Sequence, residues 1–212
     1  MPRSLPRFDL AFNAESLSAL ALVDRLEVAM VGAGRNDPKR IRLQDVELAY
    51  ELAFVRLFTS WEVTLEQIFL RLMCGFNSGM GQAILCNGLA YSPTIGQAET
   101  LLLNGRQYLL WHNPDHVINR AAGMFLNSHY EQVLASAQQR LKHFAAVRHR
   151  VAHAQKDAAA KFDNATMALA GKRYRASRPG RFLRDRVANS NPPEQWLSMI
   201  ASELESLVVQ LR

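Results

Sequence analysis

Arg148, His149 and His153 stand close together in the sequence and are of types that can do chemistry on a phosphate ester. An arginine keeps its charge under all ordinary conditions and can present two parallel N–H donors to phosphate oxygens. A histidine gains or loses a proton near neutral pH, so it can serve as general acid or base. His149 and His153 are four residues apart, which places one above the other on a helix. His153 follows Arg148 by five residues, about 140° around an ideal helix, so these two do not converge within one straight helix. A distorted helix end, a long arginine reaching round, or a two-fold axis joining two copies would bring them together.

A second group is electrostatic. The chain of 212 residues has a formal charge of +6. The segment from Lys172 to Arg186 holds seven cations, Lys172, Arg173, Arg175, Arg178, Arg181, Arg184 and Arg186, against the single acid Asp185. The whole excess is therefore local. Such a strip suits a phosphate backbone, because each neutralised phosphate releases a counterion. An arginine-rich solvated loop that keeps the protein soluble is the plainer alternative.

These residues need helices to position them. Hydrophobic residues make up 49% of the chain, enough for a continuous core, and the length fits a single domain spanning residues 1–212. Helical spacing of apolar residues predicts a first helix over 14–31, with Leu17, Leu20, Ala21, Leu26 and Val28, and a break over 32–38. A long second helix over 44–73 carries Leu48, Leu52, Val55, Phe58, Trp61, Leu65, Ile68 and Leu72. Residues 75–95, rich in Gly and Asn, read as an irregular insertion. A short helix follows over 95–103. Asn113 then caps another through Met124, with Pro114 at its first position. A long helix is expected over 129–154 and a further one over 157–170. Residues 172–192 read as a basic linker, before a final helix with Trp196, Ile200, Leu204, Leu207 and Leu211. No alternating strand pattern stands out. The expected fold is an all-α helical bundle, a four-helix up-down core with extra helices.

At about 100° per residue, Arg148 falls within a stripe formed by Leu134, Ala137, Leu141, Phe144 and Val151. Burying a guanidinium unpaired is costly, so a carboxylate must meet it, or the stripe must face a wet cleft or a subunit interface. Glu62 and Glu66, one turn apart on the second helix, are the candidate partners. A buried Arg–Glu pair that locks two helices in register is the structural alternative to a catalytic role.

The segment Arg148-His149-Arg150-Val151-Ala152-His153 resembles the signature of the HEPN superfamily: an arginine, then a polar residue, then a histidine five to seven positions after the arginine, late in a long helix. Leu57-Phe58-Thr59-Ser60-Trp61-Glu62 resembles that family's first long helix. The similarity covers residues 44–74 and 110–155, about a third of the chain. The run from Trp111-His112-Asn113-Pro114 to Asn119-Arg120 is similar to variants grouped with RNA processing and ribosome-associated proteins. The resemblance implies a homodimer acting as a metal-independent, cofactor-free endoribonuclease, in which the ribose 2′-hydroxyl attacks the adjacent phosphate and leaves a cyclic phosphate. His153 would move a proton, Arg148 would stabilise charge, and His149 would position the phosphate or take the second proton role. Defence, toxicity and RNA turnover are the roles it suggests, with an antitoxin or other regulatory protein as a partner. Two departures stand out. His149 fills a slot that is most often Asn, and Gln155 stands where the toxin–antitoxin branch has its modified Tyr.

Rival classes leave weaker marks. His112 with His116, and His149 with His153, have a spacing that can chelate one ion, yet no further ligand is indicated. The Gly32/Gly34 and Gly79/Gly81 pairs lack a preceding strand and a P-loop lysine, which argues against a nucleotide loop. A dimerising or RNA-binding module without catalysis is the main competitor. Cys74 and Cys86 form no disulfide framework and suit a reducing compartment. The N-terminus lacks the apolar run of a secretory signal, and charged residues or Asn interrupt the apolar segments. A soluble cytoplasmic protein with no membrane partner is the expectation.

Overall fold

The computed structural model describes residues 3–32, 41–79 and 81–212. The break expected over 32–38 lies, from residue 33 onward, outside the described residues. The architecture is an all-α bundle, with no strand among the described residues: α1 (Phe8–Gly32), α2 (Leu43–Met73), α3 (Ile95–Leu103), α4 (Pro114–Met124), α5 (His129–Ser136), α6 (Gln138–Ala152), α7 (Lys156–Ala170), α8 (Pro179–Arg184) and α9 (Trp196–Leu211). No helix among the described residues is long and apolar enough to cross a membrane.

The chain forms two compact units. Unit 1 comprises residues 1–12, 60–141 and 204–212; unit 2 comprises residues 13–59 and 142–203. In unit 1, Phe69 packs against Trp111, Phe125 and Tyr130 with ring centroids 5.6, 4.8 and 5.5 Å away. The fully buried Tyr130 hydroxyl donates to the Leu65 carbonyl at 3.1 Å, so its polar end is satisfied inside the core. In unit 2 the corresponding nucleus is Phe182, in ring contact with Phe162, Tyr174 and Trp196.

Several helices begin where side chains cap them. Asn113 accepts from the backbone N–H groups of Asp115 and His116 and Pro114 opens α4. Thr94 and Ser128 cap α3 and α5 in the same way. The single helix expected over 129–154 is instead two, because Ala137 leaves helical geometry (φ −100°, ψ 2°). The expected burial stripes also shift. On α2 the shift is confined to the first half: Leu48 and Leu52 are more than half exposed, at 54% and 59%, while Tyr50, Phe54 and Leu57 are buried, and Phe58, Trp61, Leu65, Ile68 and Leu72 are buried as their spacing predicts. On α1, Phe12, Ala19 and Val23 are buried, and Leu17 and Val28 face solvent. In the first half of α2 the aromatic Tyr50 and Phe54 are buried in place of the leucines, which removes more apolar area from water. The α9 stripe of Trp196, Ile200, Leu204, Leu207 and Leu211 is buried as its spacing predicts.

Candidate functional site

The 172–192 stretch, expected as a linker, is folded into unit 2. Gly171 ends α7 in the left-handed conformation (φ 67°), a short 3₁₀ turn spans Arg175–Ser177, and Pro179 opens α8 at its first turn. Phe182 and Leu183 are fully buried and anchor α8. Gly180 is needed for close approach: a Cβ there would collide with the backbone of Glu47 on α2, and its N–H donates to Glu51 Oε1 at 2.9 Å. Apolar anchors thus alternate with arginines along the strip, and burying the first fixes the second.

All seven cations of the strip line one cleft of about 810 Å³, together with Glu27, Glu47 and Asp185. Seven positive charges against three carboxylates leave a surplus of four. Three cations are committed to ion pairs. Arg184 grips Glu27 with two donors, Nε to Oε1 at 2.6 Å and an Nη to Oε2 at 3.0 Å. Arg178 pairs with the buried Glu47, and Lys172 with Asp185. Arg173, Arg175, Arg181 and Arg186 pair with no carboxylate among the described residues. Paired arginines therefore build the wall, and the surplus ones are available to an anion.

The electrostatics follow from this pairing. The Arg184 hydrogen bonds hold the Glu27 carboxyl below its ordinary pKa against the cost of burial, with Tyr50 adding a third donor at 3.1 Å. Burial opposes the charged form of Asp185, yet Lys172, the Tyr174 hydroxyl at 2.6 Å and the Arg186 backbone keep its pKa low. Tyr174 in turn is pushed well above its ordinary value, first by burial and then by that carboxylate.

The Arg148 group lies at the end of α6, also in unit 2. Val147, not Arg148, continues the buried stripe of Leu141 and Phe144; Arg148 lies beside it, half-buried. His153 is exposed just past the helix, its N–H returning to the His149 carbonyl at 3.0 Å. The His149 and His153 rings are in contact, with centroids 4.6 Å apart. Burial lowers the His149 pKa first, and the charges of His153 and Lys161 lower it further, with Arg148 contributing. Arg150, which the sequence did not single out, joins this end to the strip. Its Nε donates to the Ser177 carbonyl at 3.0 Å and an Nη to the His153 carbonyl at 3.2 Å. Ala176 and Ser177 both adopt positive φ, 59° and 45°, a strained turn for non-glycine residues. Ser177 is held there by its hydroxyl bond to Asp163 at 2.8 Å.

Glu62 and Glu66, expected beside Arg148, belong to unit 1. Glu66 accepts from the Trp111 indole at 3.0 Å, and Glu62 lies 3.9 Å from His112 Nδ1. Both are thereby engaged with the segment that leads into α4. Among the described residues no three His, Cys, Asp or Glu side chains are grouped so that they could hold a metal ion. Cys74 and Cys86 are both free thiols. Glu27 and Glu47, the acids that brace the cleft, carry no mark in the sequence; only the fold shows Glu47 among the buried positions of α2, between Val46 and Tyr50. No family model, no curated protein and no solved structure matches this chain.

Proposed function

We propose that the protein binds RNA in the arginine cleft of unit 2 and cuts it as a metal-independent, HEPN-type endoribonuclease. The observation that carries this reading is the cleft itself: seven cations from one short strip, four of them in excess of the local acids. A cleft this large takes a run of backbone phosphates, and its charge makes binding electrostatic.

The end of α6 supplies groups suited to cleavage. His149, which burial favours in its neutral form, takes the proton of the 2′-hydroxyl as that oxygen attacks phosphorus. His153, in ring contact with it and exposed, returns a proton to the departing 5′-oxygen. Arg148 stabilises the charge on the non-bridging oxygens. The Arg150 bridge to Ser177 supports coupling between these groups and the RNA-binding strip. Leu48 and Leu52, one turn apart and mostly exposed on α2, support a homodimer, and two free cysteines support a reducing, cytoplasmic setting.

One observation favours the second reading, an RNA-binding module without catalysis. Arg148 is half-buried beside Phe144 and Val147, about 100° around the helix from His149. The test is incubation of the folded protein with labelled single-stranded RNA in excess chelator, beside His149→Ala, His153→Ala and Arg148→Ala. The expected result is cyclic-phosphate products, reduced about 100-fold or more by each histidine change. The acid limb of the rate profile should also lie below the ordinary histidine pKa, because His149 must be neutral to accept the proton. RNA bound but uncut by the wild type would establish the second reading.

A further inference from the structure

Unit 1 contains a second cationic cleft that the RNA reading does not use. Two adjoining hollows, of about 530 and 420 Å³, share Arg106, Leu109, His116 and Arg120. Their volumes fall in the range of small-ligand sites. Arg120 is the unusual member. It comes from α4, its guanidinium carbon sits 4.9 Å from the centre of the Trp111 ring, and its Nη1 is buried with no hydrogen-bond partner. Burial works against its charge, Tyr130 and Glu66 work for it, and Arg106 nearby works against it. A guanidinium does not shed its proton, so this cation stays charged in a place where the described residues give that nitrogen no acceptor.

The neighbours define the chemistry of the hollow. Arg106 is exposed at the rim, and His116 lines both hollows. Asp115 is the acid of the lining, and its Oδ1 is already occupied by the Gln138 amide at 2.5 Å. Tyr108, 72% exposed, lies along the smaller hollow and offers an open ring face. Two arginines and a histidine suit a phosphate, and an open aromatic face suits a base stacked upon it.

We propose that the cleft framed by Arg106, His116 and Arg120 binds a free, phosphorylated ligand of mononucleotide size, with the phosphate between the two arginines and the base on Tyr108. The site gives a role to the Trp111–Arg120 segment, which the cleavage chemistry leaves unused. It stands independently of RNA binding in unit 2.

Titration calorimetry of the full chain with AMP, adenosine and inorganic phosphate tests this. The variants are Arg106→Ala, Arg120→Met and the strip double variant Arg175→Ala/Arg181→Ala. AMP should bind the wild type, adenosine about tenfold or more weaker, and phosphate between the two. Arg106→Ala should weaken AMP about tenfold, and the strip variant should leave it unchanged. Because Arg120 packs on Trp111, its variant counts only if it remains folded; Arg106, at the rim, decides the matter alone otherwise. No heat with AMP at millimolar concentration would overturn the proposal. So would adenosine binding as well as AMP, binding unaltered by Arg106→Ala, or binding lost in the strip variant.

Discussion

Arg184 and Glu27 show how single side chains set the electrostatics of the cleft. Their two-point contact keeps the Glu27 carboxyl ionised below its ordinary pKa of 4.5. A carboxylate with a depressed folded-state pKa contributes stability that is fully present above the unfolded value and is lost as pH falls through the folded one. The wild type should therefore lose stability progressively below about pH 4.5. Glu27→Gln should show a shallower acid limb and lower stability at neutral pH, on the order of 1–2 kcal/mol, as a charged hydrogen-bond partner is lost. Denaturant unfolding across pH checks both; equal slopes for the two proteins would contradict the assignment. The sequence shows residue types well and pairings poorly. The seven cations were legible as a cluster, but nothing in their spacing says that Arg178 and Arg184 are committed to Glu47 and Glu27 while Arg175 and Arg181 are not. Pairing depends on contacts with α1 and α2, more than a hundred residues away in the chain.

At the scale of elements, α8 does the positioning. Pro179-Gly180 reads as a loop signal, yet the proline starts a helix and the glycine lets that helix rest on the backbone of α2. Gly180→Ala should cost about 1–3 kcal/mol of stability by overpacking and should weaken RNA binding as well, because Arg178, Arg181 and Arg184 all ride on this turn and helix. Thermal unfolding and RNA titration of the same sample check the pair of effects. Unchanged stability would contradict the close approach. Where capping chemistry marks an end, sequence and structure coincide: α3 and α4 have the predicted bounds because Thr94, Asn113 and Pro114 punctuate them. The break at Ala137 was not legible, since alanine is the best helix former and the one local mark is the Ser136 hydroxyl, which donates back to the Val133 carbonyl at 2.8 Å.

Across the whole molecule, the all-α class was legible from periodicity, and the localisation of the charge excess from simple counting. The division into two compact units was not, because α1, α2, α6 and α9 each contribute residues to both and no linker composition marks a boundary. The folded state of the strip escaped sequence reading for a related reason. Its apolar anchors, Phe182 and Leu183, are too few to show a helical period among so many arginines. RNA binding by this strip is read out in the salt dependence of affinity. Four arginines in surplus predict a slope of log affinity against log salt of roughly −3 for single-stranded RNA. Replacing Arg173, Arg175, Arg181 and Arg186 together with alanine should flatten it while the fold is retained. A steep slope that survives that replacement, or no affinity for RNA at low salt, would rule out RNA binding by the strip.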